Sequence, residues 1–128
     1  MSGEHRFDDE KLRIPSPAFR GMLGLSRRAG RVLAGTAQVC DAVRAARKPA
    51  LVLIDADASE KTKSKLWGLC HAHGVPYLTL KADGLLGEML GRGSEIVTCA
   101  VTDDAMAKRL CDLCTEPAAS GNTDAAPQ

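Results

Sequence analysis

The stretch Ala50-Leu51-Val52-Leu53-Ile54-Asp55-Ala56-Asp57 decides the fold. Its first five residues, Ala50 to Ile54, are all apolar. A strand with no polar face has no side to offer to water, so this run predicts a central strand covered on both sides. The flanks say what covers it. Upstream, Val39, Ala42, Val43 and Ala46 fall at i, i+3, i+4 and i+7, the stripe of an amphipathic helix. Thr36 is the candidate cap of that helix, and Arg47-Lys48 followed by Pro49 is its stop signal. Downstream, Asp57-Ala58-Ser59-Glu60 has the form of a capping box. It predicts a helix to about His73, with Thr62, Leu66, Leu69 and His73 on one face and Gly74 as the stop.

The same punctuation extends to both termini. Pro17 suits the first turn of a helix reaching Ala29, whose apolar face is Phe19, Met22, Leu23 and Leu25. Gly30 ends it. Arg31-Val32-Leu33 is then a short strand closed by Gly35. After Gly74, the run from Val75 to Leu80 predicts a strand, with Pro76 tolerated near its start or at an edge. Asp83 to Leu90 predicts a short helix with Leu85, Leu86, Met89 and Leu90 inward, Gly91-Arg92-Gly93-Ser94 a loop, and Ile96 to Val101 the last strand. Asp103 caps a final helix that turns Met106, Leu110 and Leu113 to the core. Helices and strands alternate, which is the pattern of an α/β sandwich with helices on both faces of the sheet. Residues 1–16 are charged and then proline-rich, and residues 115–128 are small and polar. Both are expected to be disordered tails around one folded part, 17–114.

Composition narrows the function classes. At 128 residues and 45% apolar, the chain suits one domain with a real core. No stretch nears the roughly 20 apolar residues of a membrane span, and the charged start lacks an apolar run, so the expected location is the cytoplasm. Five cysteines, Cys40, Cys70, Cys99, Cys111 and Cys114, are an odd number, and in a reducing compartment they read as small apolar core residues. Net charge is +1, but ten Lys and Arg stand against four Asp and Glu between Arg20 and Lys65, and four against eight from Leu66 onward. A basic segment in a neutral chain suggests a local patch for an anionic partner; a solvated surface explains it as well. The aromatics are only Phe7, Phe19, Trp67 and Tyr77. Readers of single strands stack bases on aromatic rings, so a nucleic-acid partner would be held by phosphate contacts and shape.

Several residue groups are candidate sites. Gly35-Thr36 opens a helix whose free N–H groups and dipole favour phosphate, with Arg27, Arg28 and Arg31 close in sequence; the plain alternative is a turn and a cap. In Gly91-Arg92-Gly93, two glycines permit close backbone approach and Arg92 a phosphate contact, against the more common connecting turn. Asp55-Ala56-Asp57 after an apolar strand resembles the nucleophile motif of haloacid-dehalogenase phosphatases, with Lys81 and Asp103-Asp104 as the remaining groups and magnesium as the ion. Ala58-Ser59, the motif's distance from the N-terminus and the short chain all count against it. Helix capping by Asp57 is the simpler account. Cys70-His71-Ala72-His73 and Cys111-Asp112-Leu113-Cys114 contain metal-ligand types, but each lies in a predicted helix and packing explains them better, so no metal or cofactor is expected. Of Lys61, Lys63 and Lys65, the first and last share a helix face and one or two of the three can join a basic patch; a solvated face is the simpler reading.

Taken in order, these segments resemble the ribosomal L-seven-Ae family of kink-turn RNA-binding proteins, in its small bacterial YlxQ-type branch. The resemblance rests on Leu25-Ser-Arg-Arg-Ala-Gly30-Arg-Val-Leu-Ala-Gly35, on Leu51 to Lys63, on Cys70 with Val75-Pro76-Tyr77, on Leu86-Gly87-Glu-Met-Leu-Gly91, and on Ala100-Val-Thr-Asp103. It spans about Leu23 to Leu113. It implies a three-layer α/β/α sandwich on a mixed four-stranded sheet, no enzyme activity, and structured RNA as partner, ribosomal or linked to translation. The family grips a bent RNA loop with the start of its second helix and with the loop before the last strand. Here those positions are Gly35, Thr36, Ala37, Gln38 and Asp41, and Arg92, Gly93 and Ser94. The family's signature reads Gly-x-Asn-Glu-x-x-Lys. Gly35 is kept, Ala37 lacks the amide, Gln38 replaces Glu, and Asp41 replaces Lys, which turns a phosphate attraction into a repulsion. Arg28, Arg31 and Arg92 are the candidates to compensate. A protein-interaction module on the same fold, which some relatives use, is the alternative.

Overall fold

The computed structural model describes residues 12–81, 84–90 and 96–116. The quoted stretch forms β3 (Leu51–Asp55), and all five of its residues are buried. Its side chains alternate between two cores, as strand geometry requires. Leu51 and Leu53 enter one core with Phe19, Leu23, Leu80, Leu86 and Leu110, and Val52 and Ile54 enter the other with Val39, Val43, Leu66 and Trp67. The first core lies under α1 (Pro17–Arg28), α4 (Leu85–Leu90) and α5 (Asp104–Asp112), and the second under α2 (Thr36–Arg44) and α3 (Glu60–His73). Helices therefore cover the sheet on both faces.

Among the described residues the sheet has six strands, where four were expected. With β1 (Leu12–Pro15), β2 (Val32–Ala34), β4 (Tyr77–Leu80), β5 (Thr98–Val101) and β6 (Cys114–Thr115), the order is β2-β5-β3-β4-β1-β6. β3 pairs parallel with β4 and antiparallel with β5, so the sheet is mixed as expected. One extra strand, Leu12–Pro15, comes from the segment assigned to the first tail, and the other, Cys114–Thr115, straddles the boundary drawn between the folded part and the second tail. Leu12–Pro15 pairs parallel with β4, and Ile14 and Pro15 pair antiparallel with Thr115 and Cys114. The disordered tail expected over 1–16 therefore fails for residues 12–16, and the one over 115–128 fails at Thr115; their remaining residues lie outside the described set, Glu116 excepted. Both strands are too short and too poorly patterned to be read locally; β4 and the Ser16 N–H to Leu113 carbonyl bond of 2.8 Å hold them.

Helix faces and caps also moved. On α3 the buried side chains are Lys63, Leu66, Trp67 and Cys70, rather than the expected stripe of Thr62, Leu66, Leu69 and His73. A lysine at a core position hid the true face. Ser59, not Asp57, caps this helix, its hydroxyl accepting from the Thr62 N–H at 3.1 Å. Leu25 is exposed, and Ser26 takes its place on the buried face of α1 by donating its hydroxyl to the Met22 carbonyl at 2.9 Å. α2 ends at Arg44, leaving Ala46 exposed. Asp103 caps α5 as expected, accepting from the Met106 N–H at 2.9 Å. β4 and β5 each begin two residues later than their apolar runs.

Candidate functional site

β2 and β5 form an antiparallel ribbon with two distinct ends. At one end, Gly35 begins α2 with φ 107° and ψ 139°. That backbone is open to glycine and strained for other residues. A Cβ there would meet nothing within 4 Å, so conformation and not space requires the glycine. The Gly35 N–H donates to the Thr98 carbonyl at 2.9 Å, and the Thr36 hydroxyl donates to the Thr98 hydroxyl at 3.2 Å. Two bonds to one residue thus fix the helix start on the sheet. Thr36 is the first helical residue rather than the cap, and among the described residues no side chain caps the N-terminus. The helical ladder starts with the Val39 N–H to Gly35 carbonyl bond of 3.0 Å. The N–H groups of Thr36, Ala37 and Gln38 precede it, which leaves a positive dipole end. Ala37 and Gln38 are exposed.

Asp41 lies one turn further along, exposed, with its carboxylate 3.6 Å from the Arg44 guanidinium. Beside this end, β3 and β4 finish together. The Asp55 N–H donates to the Val97 carbonyl and the Ala56 N–H to the Leu80 carbonyl, each at 2.8 Å. Asp55 is buried, and one of its carboxylate oxygens accepts from the Asp57 N–H at 2.8 Å, closing the turn into α3. Lys63 donates to the Ala56 carbonyl at 2.9 Å, pairs with Glu60 at 3.2 Å and sits 5.8 Å from the centre of the Trp67 ring. It therefore braces this turn, whereas Lys61 and Lys65 are exposed. Sequence reading missed Thr98 and Lys63 as organisers of the site. The only local signal for Thr98 was a single polar residue inside the apolar run from Ile96 to Val101.

One predicted residue, Arg31, is not at this end. Arg31 precedes β2 at the opposite end of the ribbon, where its carbonyl accepts the Thr102 N–H at 2.9 Å. It lines a cavity there with Arg47, Lys48 and Thr102, so it does not stand beside Gly35. Arg28 is exposed on the last turn of α1, with its guanidinium lying over Gly24. Arg27 donates to the Met89 carbonyl at 2.9 Å and so ties α1 to α4. Arg92, Gly93 and Ser94 lie outside the described residues.

The phosphatase constellation is not assembled. β5 runs antiparallel to β3, with Ile54 opposite Thr98 and Leu51 opposite Val101. Asp103 and Asp104 follow Val101 and thus lie at the other end of the sheet from Asp55, and Asp103 is engaged as a cap. The cysteines are mostly core residues. Burial pushes the Cys70 and Cys99 thiols up to about 12 each, and the Cys114 thiol up to about 11. Thiols held protonated are poor metal ligands. Among the described residues no three His, Cys, Asp or Glu side chains converge on a metal position, and no helix is long and apolar enough to cross a membrane.

Comparison with known proteins places this arrangement. The chain is 37% identical over 92 residues to the RNA-binding protein YlxQ of Bacillus subtilis, covering 72% of this chain and 90% of that one. A Bacillus halodurans protein of unknown function superposes with a TM-score of 0.66 at 32% identity, over 74% of this chain and 94% of that one. The Giardia lamblia 15.5 kD RNA-binding protein shares the fold, with a TM-score of 0.61 at 19% identity over 73% of this chain and 79% of that one. Residues 18–111 match a single family along nearly the whole folded part. The chain belongs to the ribosomal protein L7Ae/L30e/S12e/Gadd45 family.

Proposed function

We propose that this protein binds structured RNA through the N-terminal end of α2, and that it acts by recognition rather than catalysis. The observation that carries the reading is the start of α2. It presents exposed Ala37 and Gln38 beside half-buried Gly35 and Thr36, is uncapped by any described side chain, is set by a glycine at φ 107° and is fastened to Thr98. Backbone N–H groups held in place in this way suit a phosphate oxygen and pay little ordering entropy on contact. The name of the Bacillus subtilis relative agrees with this chemistry.

The aromatic residues support a folded partner over a single strand. Phe19, Trp67 and Tyr77 are all buried, so the described surface offers no stacking platform. Trp67 is further engaged, its indole N–H donating to the Thr79 hydroxyl at 3.0 Å. Recognition then falls to shape and backbone contacts. Gly35, Thr36, Ala37, Gln38 and Asp41 make up the contact surface on α2, and Arg92, Gly93 and Ser94, which precede β5 in sequence, complete it. The RNA is a kink-turn or a similarly bent element of ribosomal or translation-linked RNA, met in the cytoplasm. Asp41 weakens the grip relative to the family signature. Arg31, at the far end of the ribbon, does not stand beside the start of α2 to offset it there.

A gel-shift titration at two salt concentrations tests this, comparing a kink-turn RNA with a straight duplex of equal length. Preference for the bent RNA with a modest salt slope is expected. Equal, steeply salt-dependent binding to both would reduce the function to a basic patch, and binding to neither would remove RNA as the partner.

A further inference from the structure

The far end of the β2–β5 ribbon holds a cavity of about 350 Å³, lined by Arg31, Leu33, Ala42, Arg47, Lys48, Pro49 and Thr102. We propose that this cavity is a second, independent binding site that takes a phosphate group. The inference does not rest on the RNA reading above.

Among the described lining residues there are cationic side chains from Arg31, Arg47 and Lys48 and no carboxylate. Like charges gathered at one concavity repel each other, and an anion relieves that repulsion while gaining charge-assisted hydrogen bonds. Their positions are set by different elements. Arg31 is held at the start of β2 by the bonds from Thr102, whose N–H and hydroxyl donate to its carbonyl at 2.9 and 3.3 Å. Lys48 is held behind the C-terminus of α2, donating to the Ala45 carbonyl at 2.7 Å and the Val43 carbonyl at 3.0 Å. Arg47 precedes it and is exposed. The two guanidiniums offer planar forks suited to phosphate oxygens, while Lys48, bonded to the last carbonyls of α2, offsets the negative end of that helix dipole, which would otherwise repel an anion here. Leu33, Ala42 and Pro49 supply an apolar wall for the carbon part of a ligand. The volume lies at the lower end of the range for small-molecule pockets. The ligand class is therefore a phosphorylated group of nucleotide size, either free or carried on an RNA strand.

Amide NMR titrations of the full chain with pyrophosphate, and separately with a short single-stranded RNA, test the proposal. The Leu33, Ala42 and Thr102 amides are expected to shift and saturate with pyrophosphate. Arg31→Gln and Arg47→Gln are each expected to weaken binding about tenfold without moving the unfolding temperature, since both side chains are exposed. Lys48 is left intact because it closes α2. If the RNA binds these residues more tightly than pyrophosphate, the phosphate comes from a strand; if it binds no more tightly, the ligand is a free small anion. Absence of shifts at these amides with either probe, or unchanged affinity in both variants, would overturn the proposal. Failure of kink-turn binding would leave the pyrophosphate titration untouched, so the two readings fail separately.

Discussion

The two ends of the β2–β5 ribbon differ in almost every respect except their distance in sequence. Arg31 and Gly35 are four residues apart, yet an extended chain rising ~3.3 Å per residue separates them by roughly 13 Å. At the Gly35 end the exposed groups on α2 are backbone N–H donors, Ala37, Gln38 and the carboxylate of Asp41. At the Arg31 end three cationic side chains surround a cavity. α2 runs the length of the ribbon and so delivers Arg47 and Lys48 to Arg31 rather than to Gly35. The basic excess visible along the chain between Arg20 and Lys65 is thus not one patch. One end is organised by backbone geometry and the other by side-chain charge, and an anion would be held differently at each.

If both ends rest on the same central strand, damage to that strand should abolish both. Leu53 is fully buried in β3. Leu53→Ala should cost about 2–5 kcal/mol, measured by urea unfolding, with RNA and pyrophosphate binding lost together as the chain unfolds. An unchanged unfolding midpoint would mean that the ends are supported independently. Gly35→Ala should instead affect one end only. It forces a side chain into a glycine backbone conformation at a cost of about 1–3 kcal/mol. It should weaken RNA binding while leaving the pyrophosphate shifts intact; equal loss of both would show that the ends are coupled. Asp41→Lys is a surface change that removes only an exposed ion pair, so stability should stay within about 0.5 kcal/mol. RNA affinity should rise roughly tenfold, with the salt slope steeper by about one contact. No change in affinity would mean that this helix face never meets phosphate.

A change of pH probes the shared support beneath both ends. Cys99 lies on β5 in one core and Cys70 on α3 in the other, and each thiol is raised from an ordinary 9.0 to about 12 by burial. In the unfolded chain these thiols ionise near 9.0, whereas in the folded chain they keep their protons. Unfolding then releases protons, so stability should fall as pH rises from about 9 toward 12. Thermal unfolding followed across that range checks the sign. Thiol alkylation at neutral pH should reach exposed Cys111 before the buried Cys40, Cys70 and Cys99.

Much of the architecture was legible because it follows from local chemistry. β3 declares itself by five apolar residues in a row. Gly35 and Gly74 mark turns whose positive φ values, 107° and 71°, favour glycine. Asp103 marks a helix start. The errors arose where a partner overrode the local signal. Leu12–Pro15 is a strand because β4 had an open edge. Lys63 is buried because the Ala56 carbonyl, Glu60 and the Trp67 ring are there to receive it. Thr98 became part of the site because Gly35 and Thr36 both bond to it.

Periodicity, breakers and caps were therefore enough to specify the alternating order of elements, helices on both faces of the sheet and a glycine-led helix start. All of these depend on contacts within a few residues. Which charges share an end of the molecule depends on strand direction and on the pairing of β5 between β2 and β3, contacts that join residues as far apart as Arg31 and Thr102. Strand pairing is a long-range event with no local signature, so the separation of Arg31 from Gly35 and its meeting with Arg47 and Lys48 emerge only when the chain folds.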